Sequence, residues 1–120
     1  MTNKVNLAEK LSLFSDHWSP KIVGEVNDFD VKLAKVKGEF VWHQHDEEDE
    51  LFLVLKGKLV IELRDGKVEL NEGEFYVVPK GTEHKPFAAE EVHLMLLEKK
   101  TVKHTGDVVD ALTVREFQRL

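Results

Sequence analysis

The chain contains no cysteine among its 120 residues. That single absence excludes disulfides, thiolate nucleophiles and zinc–thiolate structural sites. Basic residues are in deficit: 17 Lys and Arg stand against 23 Asp and Glu, a formal charge of −6. Non-specific nucleic-acid binding rests on a basic surface meeting phosphates, and docking on anionic lipid needs the same, so neither partner is expected. No apolar run approaches the roughly 20 residues needed to cross a bilayer. The opening Met1-Thr2-Asn3-Lys4-Val5 has no apolar stretch of the kind a secretory leader carries, so the cytoplasm is the expected location. What remains is a chain with 42% hydrophobic and 33% charged residues. That balance suits one domain, residues 1–120, with a real core and a solvated surface.

Helical signals are few. Asn6 stands three residues before Glu9, a capping-box spacing, and Leu7, Leu11 and Phe14 follow at helical intervals. One short N-terminal helix is expected, ended by Ser19-Pro20. From Lys21 to Lys99 the pattern is strand after strand. Leu59, Ile61 and Leu63 alternate with Val60, Glu62 and Arg64. Asp65-Gly66 follows as a two-residue hairpin signal of the type that needs positive φ. Val68 and Leu70 resume the alternation, Asn71-Glu72-Gly73 turns the chain, Phe75 to Val78 is a strand, and Val92 to Glu98 is the last one. Short strands broken by glycine turns predict an all-β sandwich or barrel, with its core over about residues 21–99. Thr113-Val114-Arg115-Glu116 is a second capping-box pattern and predicts a closing helical turn.

The chemistry-bearing stretch is His43-Gln44-His45, then Asp46-Glu47-Glu48-Asp49, then Glu50. Residues i and i+2 of a strand share a face, so two imidazoles are presented together. The acidic tetrad reads as a solvated turn. An antiparallel return after it brings Glu50 back towards the histidines, in preference to Asp49. A third imidazole, His84, follows Pro79-Lys80-Gly81. Three imidazoles and a carboxylate form a borderline-hard set that suits one divalent transition metal — Fe, Mn, Ni, Co, Cu or Zn — and does not suit Mg or Ca.

These residues resemble the two motifs of the cupin superfamily, in its small single-domain form. Gly38, His43-Gln44-His45, Glu50 and Gly57 match the first; Gly73, Pro79-Lys80-Gly81 and His84 match the second. The spacer after Gly38 is one residue short, and Ala88 replaces the closing Asn. The resemblance implies a double-stranded β-helix (jelly-roll) barrel with short helical segments at its two ends. It implies a metal on His43, His45, Glu50 and His84, and a homodimer paired through sheets. It also implies dioxygenase, decarboxylase or isomerase chemistry on a small organic molecule. A non-catalytic ligand-binding or sensing module, a structural cupin and a sugar-phosphate isomerase are the alternatives.

Phe52 and Val54 share the face of Glu50 and are expected as apolar walls of a substrate pocket. His93, on the last strand, is the candidate polar contact to substrate; an ordinary outward histidine is the competing reading. His17 and His104 lie in polar segments and are expected at the surface. Trp18 and Trp42 are expected to pack, with Trp42 facing away from the metal. Leu51, Leu53 and Leu55 make the opposite face of their strand apolar too, which is the residue-level reason to expect a second subunit.

Overall fold

The computed structural model describes residues 3–106, 108 and 110–120. One helix, α1 (Leu7–Leu11), precedes eight strands. Asn6 caps it as expected, its side chain accepting from the Glu9 amide at 3.0 Å. The strands are β1 (Lys21–Val26), β2 (Phe29–Glu39), β3 (Glu50–Lys56), β4 (Leu59–Leu63), β5 (Gly66–Leu70), β6 (Phe75–Val78), β7 (His84–Lys99) and β8 (Gln118–Arg119). All pairings are antiparallel except β1 with β8. The order is β5-β4-β7-β2-β1-β8, with β3 bridging β6 and β7. This is the cupin fold expected from the resemblance.

Strand β7 organises the barrel. Its first residues, His84 to Phe87, pair with β4, and its second half pairs with β2 on one side and β3 on the other. The change of partner falls at Ala89, Glu90 and Glu91, all exposed. Gly57 approaches that corner at φ 91°, and a Cβ there would lie 3.0 Å from the Glu91 carbonyl. Only glycine meets both demands. The strand is longer than expected because it begins at His84 and runs through Pro86, which bears no amide to pair but still accepts from the Phe40 amide at 2.9 Å.

Alternation decides what enters the barrel. Ala34 and Val36 of β2, Phe52 and Val54 of β3, Ile61 of β4, and Val92, Leu94 and Leu96 of β7 are buried together. The same parity carries Lys32, Glu50, His84 and Glu98 inside, each at most 6% exposed. Tyr76 packs against the core, whereas Phe75 and Val77 of β6 face out.

Two local expectations are corrected. The β4–β5 hairpin forms, but its turn is Arg64-Asp65; Gly66 is the first residue of β5, opposite Leu63, and none of the three has positive φ. The C-terminal helical turn does not form. The Thr113 hydroxyl accepts from the Asp110 amide at 3.0 Å and meets the Thr105 hydroxyl at 2.8 Å, and the chain then runs out as β8 beside β1. Tertiary pairing outcompetes the local cap.

The segment after β7 closes over the barrel. Gly106 lies at φ 61° against the backbone of Gln44, between two of the candidate ligands. A methyl group there would collide with the Gln44 carbonyl, which cannot move without moving His43 and His45. Gly106→Ala is expected to lower thermal stability and to weaken metal uptake at least tenfold, read by calorimetry and a metal titration. Unchanged uptake would show that the closing segment does not brace the ligand loop.

Candidate metal centre

The loop between β2 and β3 delivers two histidines without being a strand. His43 forms a two-way backbone bridge with His84: the His43 amide donates to the His84 carbonyl at 3.1 Å, and the His84 amide donates to the His43 carbonyl at 2.9 Å. The Gly81 amide then donates to the His45 carbonyl at 2.8 Å, and the Lys80 amide to Asp49 Oδ1 at 2.9 Å. The Pro79-Lys80-Gly81 turn, with Gly81 at φ 76°, is therefore stitched to the acidic loop. Asp49 serves that stitch, which leaves Glu50, the first residue of β3, as the inward carboxylate.

His43 Nδ1 donates to the Val41 carbonyl and His84 Nδ1 to the Thr82 carbonyl, both at 2.9 Å. Each bond fixes the tautomer that leaves Nε2 with a free lone pair, the arrangement metal-binding imidazoles need. Glu50 Oε1 lies 3.4 Å from both His45 Nε2 and His84 Nε2. One ligand atom from each of His43, His45, Glu50 and His84 falls within 4.8 Å of the others, and all four residues are buried. His45 Nε2, His84 Nε2 and Glu50 Oε1 are buried without a hydrogen-bond partner. Unpartnered buried polar atoms are costly, and three of them converging is what a cation site demands. The donor set and the orphaned atoms both fit one divalent transition ion.

Electrostatics prepare the same site. Burial, with the His84 charge, pushes His43 down to about 4, so its imidazole is neutral at pH 7. Burial opposes charge on His45 as well, but Glu50 outweighs it and the pKa is raised. Burial also works against an ionised Glu50, yet contacts from Glu98, His45 and His84 hold its carboxyl well below the usual range.

A cavity opens from the ligands into the barrel. Trp18, Ala34, Val36, Phe40, Phe52, Leu94 and Leu96 give it apolar walls, and His43, Glu50, Glu98 and His104 give it polar ones. Trp18 and Phe40 stack with centroids 4.7 Å apart. Of the expected pocket residues, Phe52 lines the cavity. Val54 is fully buried in the core and lines none of it. His93 is turned to the outer face, 3.0 Å from Glu91, because it has the opposite parity to Val92 and Leu94. His17 is at the surface as expected, bonded to the same carboxylate at 2.7 Å. Trp42 faces away from the ligands, with the Arg64 guanidinium 3.8 Å over its ring.

Three residues of the site escaped the sequence reading. His104 is half-buried, not fully exposed; it lines the cavity 4.9 Å from the Phe40 ring, and the Val114 amide donates to its Nδ1 at 2.8 Å. Glu98 and Lys32 form an ion pair of 2.7 Å at 2% and 1% exposure. Their signal was present: each is a charged residue at an inward position of an alternating strand.

The chain belongs to the cupin family. The model of the Cupin domain family, Cupin_2, matches residues 30–109. A cupin-2 domain containing protein from Shewanella frigidimarina is 51% identical over 80% of this chain and 94% of its own, with a TM-score of 0.79. Protein NMB1881 from Neisseria meningitidis is 29% identical over 82% of this chain and all of its own, with a TM-score of 0.75. The uncharacterized protein YdbB of Bacillus subtilis is 44% identical over 64 residues, so this cupin spans 57% of that curated relative's length.

Acid should destabilise the metal-free cupin. Burial pushes His104 down to about 4, as it does His43. Burial disfavours the charged form of each, so the stability they contribute is complete above the unfolded value of 6.5 and falls away as pH drops towards about 4. The raised His45 contributes nothing further below that unfolded value, having already been saturated. His104→Gln, which keeps an acceptor for Val114, should remove about 2 kcal/mol of the acid-side loss. Urea denaturation at several pH values reads the difference; parallel curves for the two proteins would refute it.

Proposed function

We propose that this cupin is a mononuclear metalloenzyme acting on a small organic molecule, within the range of dioxygenase, decarboxylase or isomerase chemistry. The observation that supports it is the convergence of unpartnered His45 Nε2, His84 Nε2 and Glu50 Oε1 beside an apolar cavity that His43 and Glu50 themselves line. His43, His45, Glu50 and His84 would hold the ion. A bound divalent ion would supply a Lewis acid, or a position for water or dioxygen, beside that cavity. Phe40, Phe52, Leu94 and Leu96 exclude water around it, which strengthens every electrostatic contact inside. The Trp18–Phe40 stack offers a flat wall on which substrate can be oriented. The sugar-phosphate reading has less support, because no Lys or Arg is among the described residues lining the cavity.

Protein purified without an affinity tag and assayed for metal by mass spectrometry tests the reading. Close to one transition ion per chain is expected, retained through gel filtration. Failure to retain any of the six candidate metals after loading would overturn it.

We propose in addition that two copies pair through the outer faces of β6, β3 and β7. Val77 lies opposite Leu51 and Leu97 opposite it in turn; Phe75, Leu53 and Met95 form the next row. Phe75 is 62% and Val77 39% exposed, a large apolar patch to leave in water. Light scattering should give a dimer at micromolar concentration, and Phe75→Lys should raise its dissociation constant at least tenfold. A wild-type monomer under those conditions would end the proposal.

A further inference from the structure

Beside the four candidate ligands the cavity holds a second carboxyl group, Glu98, which lies against Glu50. Glu98 pairs through Oε1 with Lys32 Nζ at 2.7 Å, while its Oε2 is buried with no hydrogen-bond partner. Glu98 is 2% exposed and lines the cavity. Its Lys32 partner is also held on its other side, where the same ammonium lies 3.4 Å from the centre of the Phe117 ring. Glu50, the neighbouring carboxylate, is committed to the ligand cluster. An unsatisfied oxygen in so enclosed a place is expensive unless something else meets it.

His104 adds the complementary group. The Val114 amide donates to Nδ1, so the neutral ring carries its proton on Nε2. The polar part of the cavity thus holds an unsatisfied carboxyl oxygen and an imidazole that is a donor. Around them the walls are Trp18, Phe40, Phe52, Leu94 and Leu96. The enclosed cavity is small, about 40 Å³, which limits a ligand to a single ring whose far side stays at the mouth.

We infer that the cavity takes a small, uncharged, largely apolar hydroxy compound, whose hydroxyl is met by Glu98 and His104. This rests on the reading of the cavity as a substrate site. A hydroxyl donates and accepts at once, so it satisfies Glu98 Oε2 whether or not that oxygen carries a proton. Carboxylates and phosphates are disfavoured on two counts. No Lys or Arg is among the described residues lining it, and two carboxyl groups already share the cavity. An unfunctionalised hydrocarbon leaves Oε2 unsatisfied and forfeits that discrimination, the larger effect when a site is built to hydrogen-bond its substrate.

The probes are phenol, benzene and benzoate, which share a ring and differ in the polar group. Binding is read by NMR titration of the full chain, metal-free and zinc-loaded, with zinc uptake measured separately. Phenol should bind about tenfold more tightly than benzene in both forms, and more tightly than benzoate in the metal-free form. The variant Lys32→Met/Glu98→Leu replaces the ion pair with apolar groups and keeps the barrel filled. There the preference for phenol over benzene should collapse to within about twofold. An undiminished preference in that variant, tighter binding of benzoate to the metal-free protein, or no binding of phenol to either form would each overturn the inference. A protein that takes up no zinc yet binds phenol through Glu98 would retain this inference and lose the metalloenzyme reading. One that takes up zinc and ignores phenol would do the reverse.

Discussion

Glu50→Gln is expected to abolish the gain in stability that a divalent transition ion gives the wild-type protein. The gain itself follows from mass action: an ion bound only by the folded state at a thousand times its dissociation constant stabilises by about 4 kcal/mol. Gln keeps the volume of the buried side chain but removes the anionic oxygen that lies 3.4 Å from both His45 and His84. Loss of an outer-shell partner costs roughly 10–100-fold in metal affinity, and loss of a charged ligand should cost more. The comparison is made within each variant, with and without metal, so a change in the baseline stability of the variant cancels. Asp49→Asn is the internal control. Asp49 is one residue away and also a carboxylate, but it accepts from the Lys80 amide instead of facing the imidazoles. It should keep the full metal-dependent rise in melting temperature. A Glu50→Gln protein that rises as far as the wild type, or an Asp49→Asn protein that does not rise, would show that the carboxylate has been misassigned.

The choice between those two acids was legible in the sequence because it depends only on strand parity and on where β3 starts. The same is true of the barrel, whose alternation in β4 and glycine turns at Gly57, Gly73 and Gly81 survive intact. What the sequence concealed lies where a residue's partner is remote. The Thr113 cap pattern is identical whether a helix follows or whether, as here, Thr105 and β1 claim the segment. His104 looked like a surface histidine because its neighbours Lys103 and Thr105 are polar, yet Thr105 is itself 1% exposed. The hairpin glycine is a case of right element and wrong reason. Gly66 follows an Asp, but the register pairs it with Leu63 and places the turn one residue earlier, on Arg64-Asp65. Lys32 and Glu98 are the instructive pair. Each alone is an unlikely core residue by composition, and only their separation across 66 positions being closed by the β2–β7 register makes the burial affordable.

Lys32→Met should destabilise the metal-free protein by about 3–5 kcal/mol, and adding Glu98→Leu should restore most of it. Packing explains little of the loss, since Met is only one heavy atom shorter than Lys and its sulfur makes a favourable contact with an aromatic ring such as Phe117. The cost comes from Glu98, left buried without its cation and against Glu50. Even with Lys32 present, burial and the Glu50 charge hold the Glu98 carboxyl well above its usual value of 4.5. Removing the ammonium pushes it further in the same direction. A carboxyl whose folded pKa is raised stabilises the fold while protonated, and that stability is lost as pH rises above the unfolded value through the folded one. The deficit of Lys32→Met should therefore be greatest in alkaline solution and shrink as pH falls towards 4.5. Urea denaturation of the wild type, both single variants and the double variant between acid and alkaline pH measures this as a coupling energy. Additive single-variant losses with no pH dependence would mean that Lys32 and Glu98 are merely adjacent and that the barrel is insensitive to their charges.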